Sequence, residues 1–411
     1  MAKKKVFIGL QDIASFFDDW ASGFRENGFE VIVGSHLFQS SITSSKVNFV
    51  LRKEFDKVGY FKPGMISSRV KPMWDNFIRR KYLRRMIKEC DVFLFIWESF
   101  YPNCSDYQFL SQKGKKLITV LVGDEVRWEP AMKQEFISKK LNPFTYLNYS
   151  YSDSALTNKL RYLRTAEKYS GLILSQPNIS QLGLRPYKNL FIPINLKEYP
   201  ISAKQRLVPK LVHAPTSIGK GTAYIEEAVE QLKKEGYNFD YVRIENKPRS
   251  EALKIYNDAD IIVDQLLLPG GGKLAHEGLA LGKVVLTCMA YSNYEQRKPK
   301  DCPLVDVRVE TLLDVLKNLN PNQITRQQIA DKGRPYIKKH HDPETIVREV
   351  LKDFETKALP EDYIKPTFFR EEYVPEKDSK LKLYNNWTDY VKKEEWYINN
   401  IKPGQREGLV F

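Results

Sequence analysis

Between Lys210 and Leu286 the chain alternates short apolar runs with amphipathic segments, and twice a glycine-rich turn stands where an apolar run gives way to a helix. Leu211-Val212-His213-Ala214-Pro215 is followed by Thr216-Ser217-Ile218-Gly219-Lys220-Gly221-Thr222 and then by a helical pattern from about Ala223 to Glu235. Asp240 to Ile244 and Asp260 to Asp264 read as buried strands, with a helix from Ser250 to Asp258 between them. Pro269-Gly270-Gly271-Gly272-Lys273 opens a second helix, Leu274 to Leu281, which Gly282 ends before the strand Val284 to Cys288. Strands alternating with helices predict a parallel sheet in an α/β domain. A helix N-terminus offers unpaired N–H groups and a positive dipole end, so both turns suit the phosphates of a ligand. Ser217, Gly219, Lys220, Gly221 and Thr222 form one candidate anion site, and Gly270, Gly271, Gly272, Lys273 and Leu274 the other.

Several runs together resemble the donor-binding domain of family 4 glycosyltransferases. They are His213-Ala214-Pro215-Thr216 with Lys220-Gly221-Thr222, Ser250-Glu251-Ala252, Tyr256 to Gln265, and Glu277 to Val285. The resemblance covers residues 205–345 and is weaker over the first 200. It implies a GT-B fold of two Rossmann-like domains facing across a cleft, with C-terminal helices crossing back to the first domain. It also implies transfer of a sugar from a nucleotide-diphosphate donor, with retention and without a metal, in bacterial surface polysaccharide or glycolipid synthesis. By the same resemblance Glu277 binds the donor ribose hydroxyls, a task for an acceptor with two oxygens. Arg243 to Pro248, including Asn246, borders the nucleobase. Breaking a sugar–diphosphate bond leaves negative charge on phosphate, and Lys220 is the candidate to stabilise it; the alternative for Lys220 is a solvated residue at a helix start. Two departures stand out. Pro269 occupies the position of a glutamate usual in the family, and no arginine shortly precedes Lys220, for which Arg243 or Lys273 could compensate.

A chain of 411 residues with 42% hydrophobic content fits two domains better than one. The expected division is an acceptor-side domain over 1–200, the donor domain over 201–345 and a helical tail over 346–411, with the boundary in the polar stretch Leu196 to Arg206. Cys90, Cys104, Cys288 and Cys302 show no close paired spacing, and no hydrophobic leader follows Met1-Ala2-Lys3-Lys4-Lys5. No apolar run approaches the ~20 residues of a membrane-spanning helix. The expectation is a cytoplasmic protein, soluble or peripheral on the inner face of a membrane. Residues 1–200 hold 31 Lys/Arg against 19 Asp/Glu, which accounts for most of the net charge of +14. Such a field implies an anionic partner, such as a lipid headgroup or an acidic glycan. Nucleic acid is not expected, because aromatic residues are not interleaved with the basic ones.

In the first domain, strand Val6 to Leu10, a helix from about Ile13 to Asn27 and strand Phe29 to Gly34 form a Rossmann-like opening, whose functional residues belong at the carboxyl ends of strands. Gln11 and Asp12 sit at such an end, near the acceptor by analogy; alternatively Asp12 caps the helix. Met73 to Lys88 reads as a basic amphipathic helix, with Ile78, Tyr82, Leu83, Met86 and Ile87 on one side and Arg80, Lys81, Arg84, Arg85 and Lys88 opposite. It either packs on the sheet or lies on an anionic membrane. Asp91 to Trp97 is a central strand that delivers Glu98. Strand Lys116 to Val122 delivers Gly123-Asp124-Glu125-Val126-Arg127, where Asp124 and Arg127 are acceptor-side candidates.

No His/Cys cluster has ligand spacing, so no metal and no cofactor are expected beyond the nucleotide sugar as substrate. His340-His341-Asp342, after a helix from Thr325 to Lys339, reads as a helix terminus. In the tail, Tyr384, Trp387, Tyr390, Val391 and Trp396 predict a packing helix. Two other readings remain: a catalytically silent GT-B protein that binds glycan or nucleotide, and a nucleotide-sugar epimerase on the same fold.

Overall fold

The computed structural model describes residues 3–37, 47–56, 65–128, 153–177, 179–201, 205–289, 298–356, 363–364 and 366. They divide into two compact units, one built from the residues up to Arg127, from Leu156–Pro193 and from Pro343 onward, the other from Trp128 and Ile194–Asp342.

The first unit runs β1 (Lys5–Leu10), α1 (Phe16–Glu26), β2 (Glu30–Ser35), β3 (Phe49–Val50), α2 (Leu51–Asp56), α3 (Met65–Glu89), β4 (Val92–Ile96), α4 (Ser105–Gln112), β5 (Lys116–Leu121), α5 (Asp153–Tyr169), β6 (Leu172–Ser175) and β7 (Lys188–Asn189). Among the described residues its sheet has seven parallel strands in the order β3-β2-β1-β4-β5-β6-β7. Val6, Phe7 and Ile8 lie beside Val92, Phe93 and Leu94 in register. All six are buried, as a parallel strand covered on both faces requires.

Helix α1 starts three residues later than the periodicity predicts. Ile13, Ala14 and Ser15 form a turn in which Ala14 (φ 51°) and Ser15 (φ 60°) take left-handed backbone. The basic helix expected from Met73 is the later part of the longer α3. Its apolar side is core, with Ile78, Leu83 and Met86 buried, while Arg80, Lys81, Arg84, Arg85 and Lys88 are exposed.

The second unit runs β8 (Lys210–His213), α6 (Thr222–Lys234), β9 (Asp240–Arg243), α7 (Arg249–Asn257), β10 (Ile261–Val263), α8 (Lys273–Ala280), β11 (Val284–Thr287), β12 (Val305–Asp306), α9 (Leu312–Leu319), α10 (Gln323–Ala330) and α11 (Gly333–His340). Its parallel sheet has the order β12-β11-β10-β8-β9. Leu211, Ile261, Val263, Val284 and Leu286 pack with Ile225, Val229 and Leu232 of α6 and Leu312 and Leu316 of α9 in one core. Two expectations are corrected. Asp240 to Arg243 is not a buried strand but an edge strand, covered on one flank only and half-exposed. The single helix expected from Thr325 to Lys339 is two, because Pro335 lacks the N–H that would continue the ladder from Asp331.

Helix α12 (Pro343–Thr356) belongs to the first unit and packs on α1, where a Cβ on Gly23 would come within 2.7 Å of Val347 Cγ2. Lys188 Nζ reaches Asp353 Oδ2 of α12 at 2.6 Å. The aromatic tail residues from Tyr384 to Trp396 lie outside the described residues, as does the stretch around Ser40 to Lys46.

Candidate functional site

Strands β8 and β10 are neighbours, with β9 beyond one and β11 beyond the other, so the direction of strand order reverses between them. Open α/β sheets bind ligands outside the carboxyl ends of strands at such a reversal. Both glycine turns follow these two strands.

One side chain ties the turns together. Lys220 Nζ donates to Asp264 Oδ1 at 2.7 Å and to Gln265 Oε1 at 2.9 Å, while Asp264 Oδ2 accepts the N–H of Gly272 at 2.9 Å. The Asp264 side chain has no solvent exposure and that of Lys220 keeps 13%. An ammonium has three N–H donors, and among the described residues only two are used, which leaves one for a ligand. The backbone reinforces the joint: Leu266 N–H donates to Lys220 O at 3.2 Å, and Gly270 N–H to Cys288 O at 2.8 Å. Gly221 adopts φ 80°, and a Cβ there would lie 2.9 Å from Leu266 Cβ, so the close approach of the first turn depends on glycine. Gly272 has ordinary backbone (φ −79°). A Cβ on it would stand 3.3 Å from Asp264 Oδ2 and 3.9 Å from Lys220 Nζ.

Histidines brace both turns from behind. His213 Nδ1 bonds Val263 O at 2.8 Å and Nε2 bonds Thr222 Oγ1 at 3.0 Å. A carbonyl only accepts, so Nδ1 carries the proton and the Thr222 hydroxyl donates to Nε2. Burial lowers the His213 pKa, which keeps the ring neutral. His276 Nδ1 bonds Gly272 O at 2.8 Å, and burial pushes its pKa down to about 4. The His276 ring lies 4.3 Å from that of His341, the residue that ends α11. Neither α6 nor α8 has a side-chain cap, so their first N–H groups have no partner within the helix and point at the turns.

Glu277 is 2% exposed and is already engaged. Its Oε1 takes the Arg249 guanidinium at 2.6 Å and the Tyr199 hydroxyl at 3.1 Å, and Arg249 donates to Tyr199 at 2.9 Å. Oε2 has no hydrogen bond among the described residues. Arg334 holds the same corner, donating to Ala280 O at 3.0 Å and Leu196 O at 3.1 Å. Arg243 points elsewhere, to Glu245 Oε1 at 2.9 Å and Glu226 Oε1 at 3.2 Å. Asn246 is exposed in left-handed backbone (φ 54°), and Ser217 is exposed with its carbonyl on Lys220 N–H. Gly219, Gly270, Gly271, Lys273 and Pro269 are buried, and Leu274 is half-buried.

In the first unit the reversal falls between β1 and β4. Gln11 N–H donates to Ile96 O at 3.3 Å across that gap. Asp12 is 2% exposed and its Oδ1 accepts Phe17 N–H at 3.2 Å, which is the capping role. Glu98 Oε2 stands 3.3 Å from His36 Nδ1. Asp124 is exposed and pairs with Arg127 at 2.7 Å. Non-glycine residues in left-handed backbone gather at these strand ends: Ala14 and Ser15 after β1, Trp97 (φ 66°) after β4.

Several groups escaped sequence reasoning. Asp264 and Gln265 were legible in principle, since they end a strand at the expected edge. Tyr199 and Arg249 were not, because neither lies in a turn and they meet Glu277 only through the fold. Glu125 sits beside the residues singled out. Its Oε1 accepts Val122 N–H at 2.5 Å, its Oε2 is sealed from solvent without a hydrogen-bond partner among the described residues, and burial pushes its pKa up to about 7. The run Tyr256 to Gln265 that carries the resemblance also contains an Asp-x-Asp triplet, Asp258-Ala259-Asp260, which the expectation of a metal-free site overlooked. The triplet lies at the amino end of β10, where Asp258 pairs with Lys210 at 2.6 Å and Asp260 with Arg206 at 3.0 Å. Among the described residues no group of three or more His, Cys, Asp or Glu stands together as a metal site. His340 Nε2 bonds Asp301 at 2.9 Å.

No family model matches the sequence, and no curated protein matches it. Solved structures do match. HepE of Anabaena, solved with UDP and glucose, is 11% identical and aligns over 86% of this chain and 100% of its own, with a TM-score of 0.54. Sucrose-phosphate synthase of Thermosynechococcus elongatus is 10% identical over 86% of this chain and 99% of its own, at 0.54. A TarM variant of S. aureus, solved with fondaparinux, α-GlcNAc-glycerol and UDP, is 8% identical over 86% and 100%, at 0.57. Identity this low carries the fold alone, and the fold is that of the GT-B glycosyltransferases.

Proposed function

We propose that the chain is a glycosyltransferase that moves a sugar from a nucleotide diphosphate to a glycan or lipid-linked acceptor, with retention and without a metal. The observation that carries this is the Lys220–Asp264–Gly272 joint, which brings two uncapped helix starts to one point at the strand-order reversal. A diphosphate there meets backbone N–H groups from two helices and the third donor of Lys220. As the sugar–phosphate bond stretches, these donors meet growing charge in a fixed arrangement. Glu277 keeps Oε2 for the ribose hydroxyls while Arg249 and Tyr199 hold Oε1. With Pro269 where similar enzymes have a glutamate, the backbone of Gly270 to Gly272 takes over the contacts to the donor sugar. The solved structures with UDP, and one with UDP-glucose, support the nucleotide-sugar reading.

The acceptor side belongs to Gln11, Glu98, Asp124 and Arg127, with Asp12 holding the loop. The exposed cations of α3, beside exposed Met73 and Phe77, support peripheral contact with an anionic membrane on the cytoplasmic side. No helix of the described residues is long and apolar enough to cross a membrane.

A thermal-shift screen with UDP-, GDP-, ADP- and CDP-linked sugars tests the proposal. A ligand at 100 times its Kd adds about 2.7 kcal/mol of stability. Stabilisation by none of them refutes it. Pro269 favours a second reading, a donor-binding protein without turnover; sugar transfer to any acceptor rules that out. Product formed from donor without acceptor would mark an epimerase instead.

A further inference from the structure

The first unit holds a groove of about 610 Å³ that the proposed transfer does not use. It lies at the amino edge of the seven-stranded sheet, since Lys4 precedes β1, Asp91 precedes β4 and Lys115 precedes β5; the acceptor-side groups sit at the carboxyl edge. Helix α12 closes its other side. Lys4, Lys113, Lys115, Lys116, Arg348 and Lys352 line it, against only Asp91 and Glu355. Phe29, Val92 and Leu351 supply apolar surface between the charges.

Six cations around one concavity repel each other, and among the described residues only Lys116 and Arg348 are paired with carboxylates. Lys116 reaches Glu355 at 3.5 Å, Arg348 reaches Glu344 at 3.5 Å, and Asp91 Oδ2 receives the backbone N–H of Lys5 at 3.4 Å. Lys4, Lys115 and Lys352 have no carboxylate partner among the described residues. Just outside the groove the chain does pair its lysines: Lys5 meets Glu30 at 2.7 Å and Lys188 meets Asp353 at 2.6 Å. Uncompensated charge is therefore concentrated in the groove, which is of the size that holds small ligands. Part of the positive excess of residues 1–200 is collected here, with two more cations from α12 that the sequence places far away.

The geometry points to a second ligand site, for a multiply charged phosphate group, either a free oligophosphate or the phosphorylated head of a lipid. Several phosphate oxygens would be met at once by three or more ammonium or guanidinium groups, each contact charge-assisted. The apolar surface excludes water beside them, and binding weakens as salt screens the field over its ~10 Å range at 0.1 M.

The experiment is calorimetric titration of the full chain with inorganic tripolyphosphate, and sedimentation with phosphatidylcholine vesicles with or without phosphatidic acid, whose phosphomonoester head carries more than one ionisable oxygen. The comparison variants are Lys115→Glu/Lys352→Glu and Lys220→Ala. Both groove lysines are at least partly exposed, so the double variant folds and, with repulsion relieved, melts no lower than the parent. The expected result is salt-sensitive binding that falls at least tenfold in the double variant and persists in Lys220→Ala. Binding of tripolyphosphate identifies a free oligophosphate site; binding of anionic vesicles alone identifies the lipid source. Loss of binding in Lys220→Ala but not in the double variant overturns the proposal, as does binding of neither probe. A nucleotide-sugar titration in the double variant that matches the parent keeps this result separate from the fate of the donor site.

Discussion

Lys220 and Asp264 meet at 2.7 Å with the carboxylate wholly buried, and its second oxygen is held by the N–H of Gly272. This pair makes one structure of two turns that follow different strands. A lysine held this way approaches a ligand already oriented, so less side-chain freedom is lost on binding. The same pair makes the site part of what stabilises the unit.

Lys220→Ala therefore does more than remove a phosphate contact. Breaking a buried pair by deleting one partner costs about 3–5 kcal/mol, because the other charge stays buried. Urea unfolding of Lys220→Ala, Asp264→Ala and the double variant should give a double-variant loss smaller than the sum by at least 0.5 kcal/mol, the low end for coupled pairs. Additive losses would mean that the two side chains do not interact.

Gly221→Ala and Gly272→Ala separate fold from ligand. At Gly221 the left-handed backbone and the nearby Leu266 Cβ should cost about 1–3 kcal/mol. At Gly272 the backbone suits any residue, so thermal stability should hardly change. The new methyl, near Asp264 and Lys220, should weaken nucleotide-sugar binding several-fold in calorimetry. Unchanged affinity in Gly272→Ala would remove the second turn from the donor site.

Glu277→Gln keeps the shape and the hydrogen bond from Tyr199 but removes the charge that faces Arg249. Donor affinity should fall at least tenfold, about 1.4 kcal/mol. Arg249→Met should reduce stability while retaining measurable binding, since Oε2 needs no help from Arg249. If Arg249→Met abolishes binding at unchanged stability, the arginine itself contacts the nucleotide.

Two buried groups give opposite pH responses. Glu125 titrates near 7 in the fold, raised from 4.5 by burial, so its contribution is full below 4.5 and is lost as pH rises through 7. Glu125→Gln should flatten the stability profile between those values. His276 is lowered from 6.5 to about 4, so its contribution is full above 6.5 and is lost as pH falls through 4. His276→Asn should lessen acid destabilisation across that window. Parallel profiles for parent and variants in thermal melts would contradict both assignments.

The amino-acid sequence by itself determined the strand–turn–helix order of the second unit, the glycine turns and the helix that carries Glu277. These depend on periodicity and on backbone freedom at glycine, which act over a few residues. It also marked the apolar side of α3, because the core can use only the face where apolar residues recur. Tertiary structure alone decided who meets whom. Asp264 reaches back across 44 residues to Lys220, and Tyr199 crosses 78 to reach Glu277. The exposure of β9 followed from its place at the sheet edge, and the gathering of α12 cations beside Lys115 from a helix returning to the first unit. Strand order and helix docking set these relationships, through packing between segments that no local pattern links.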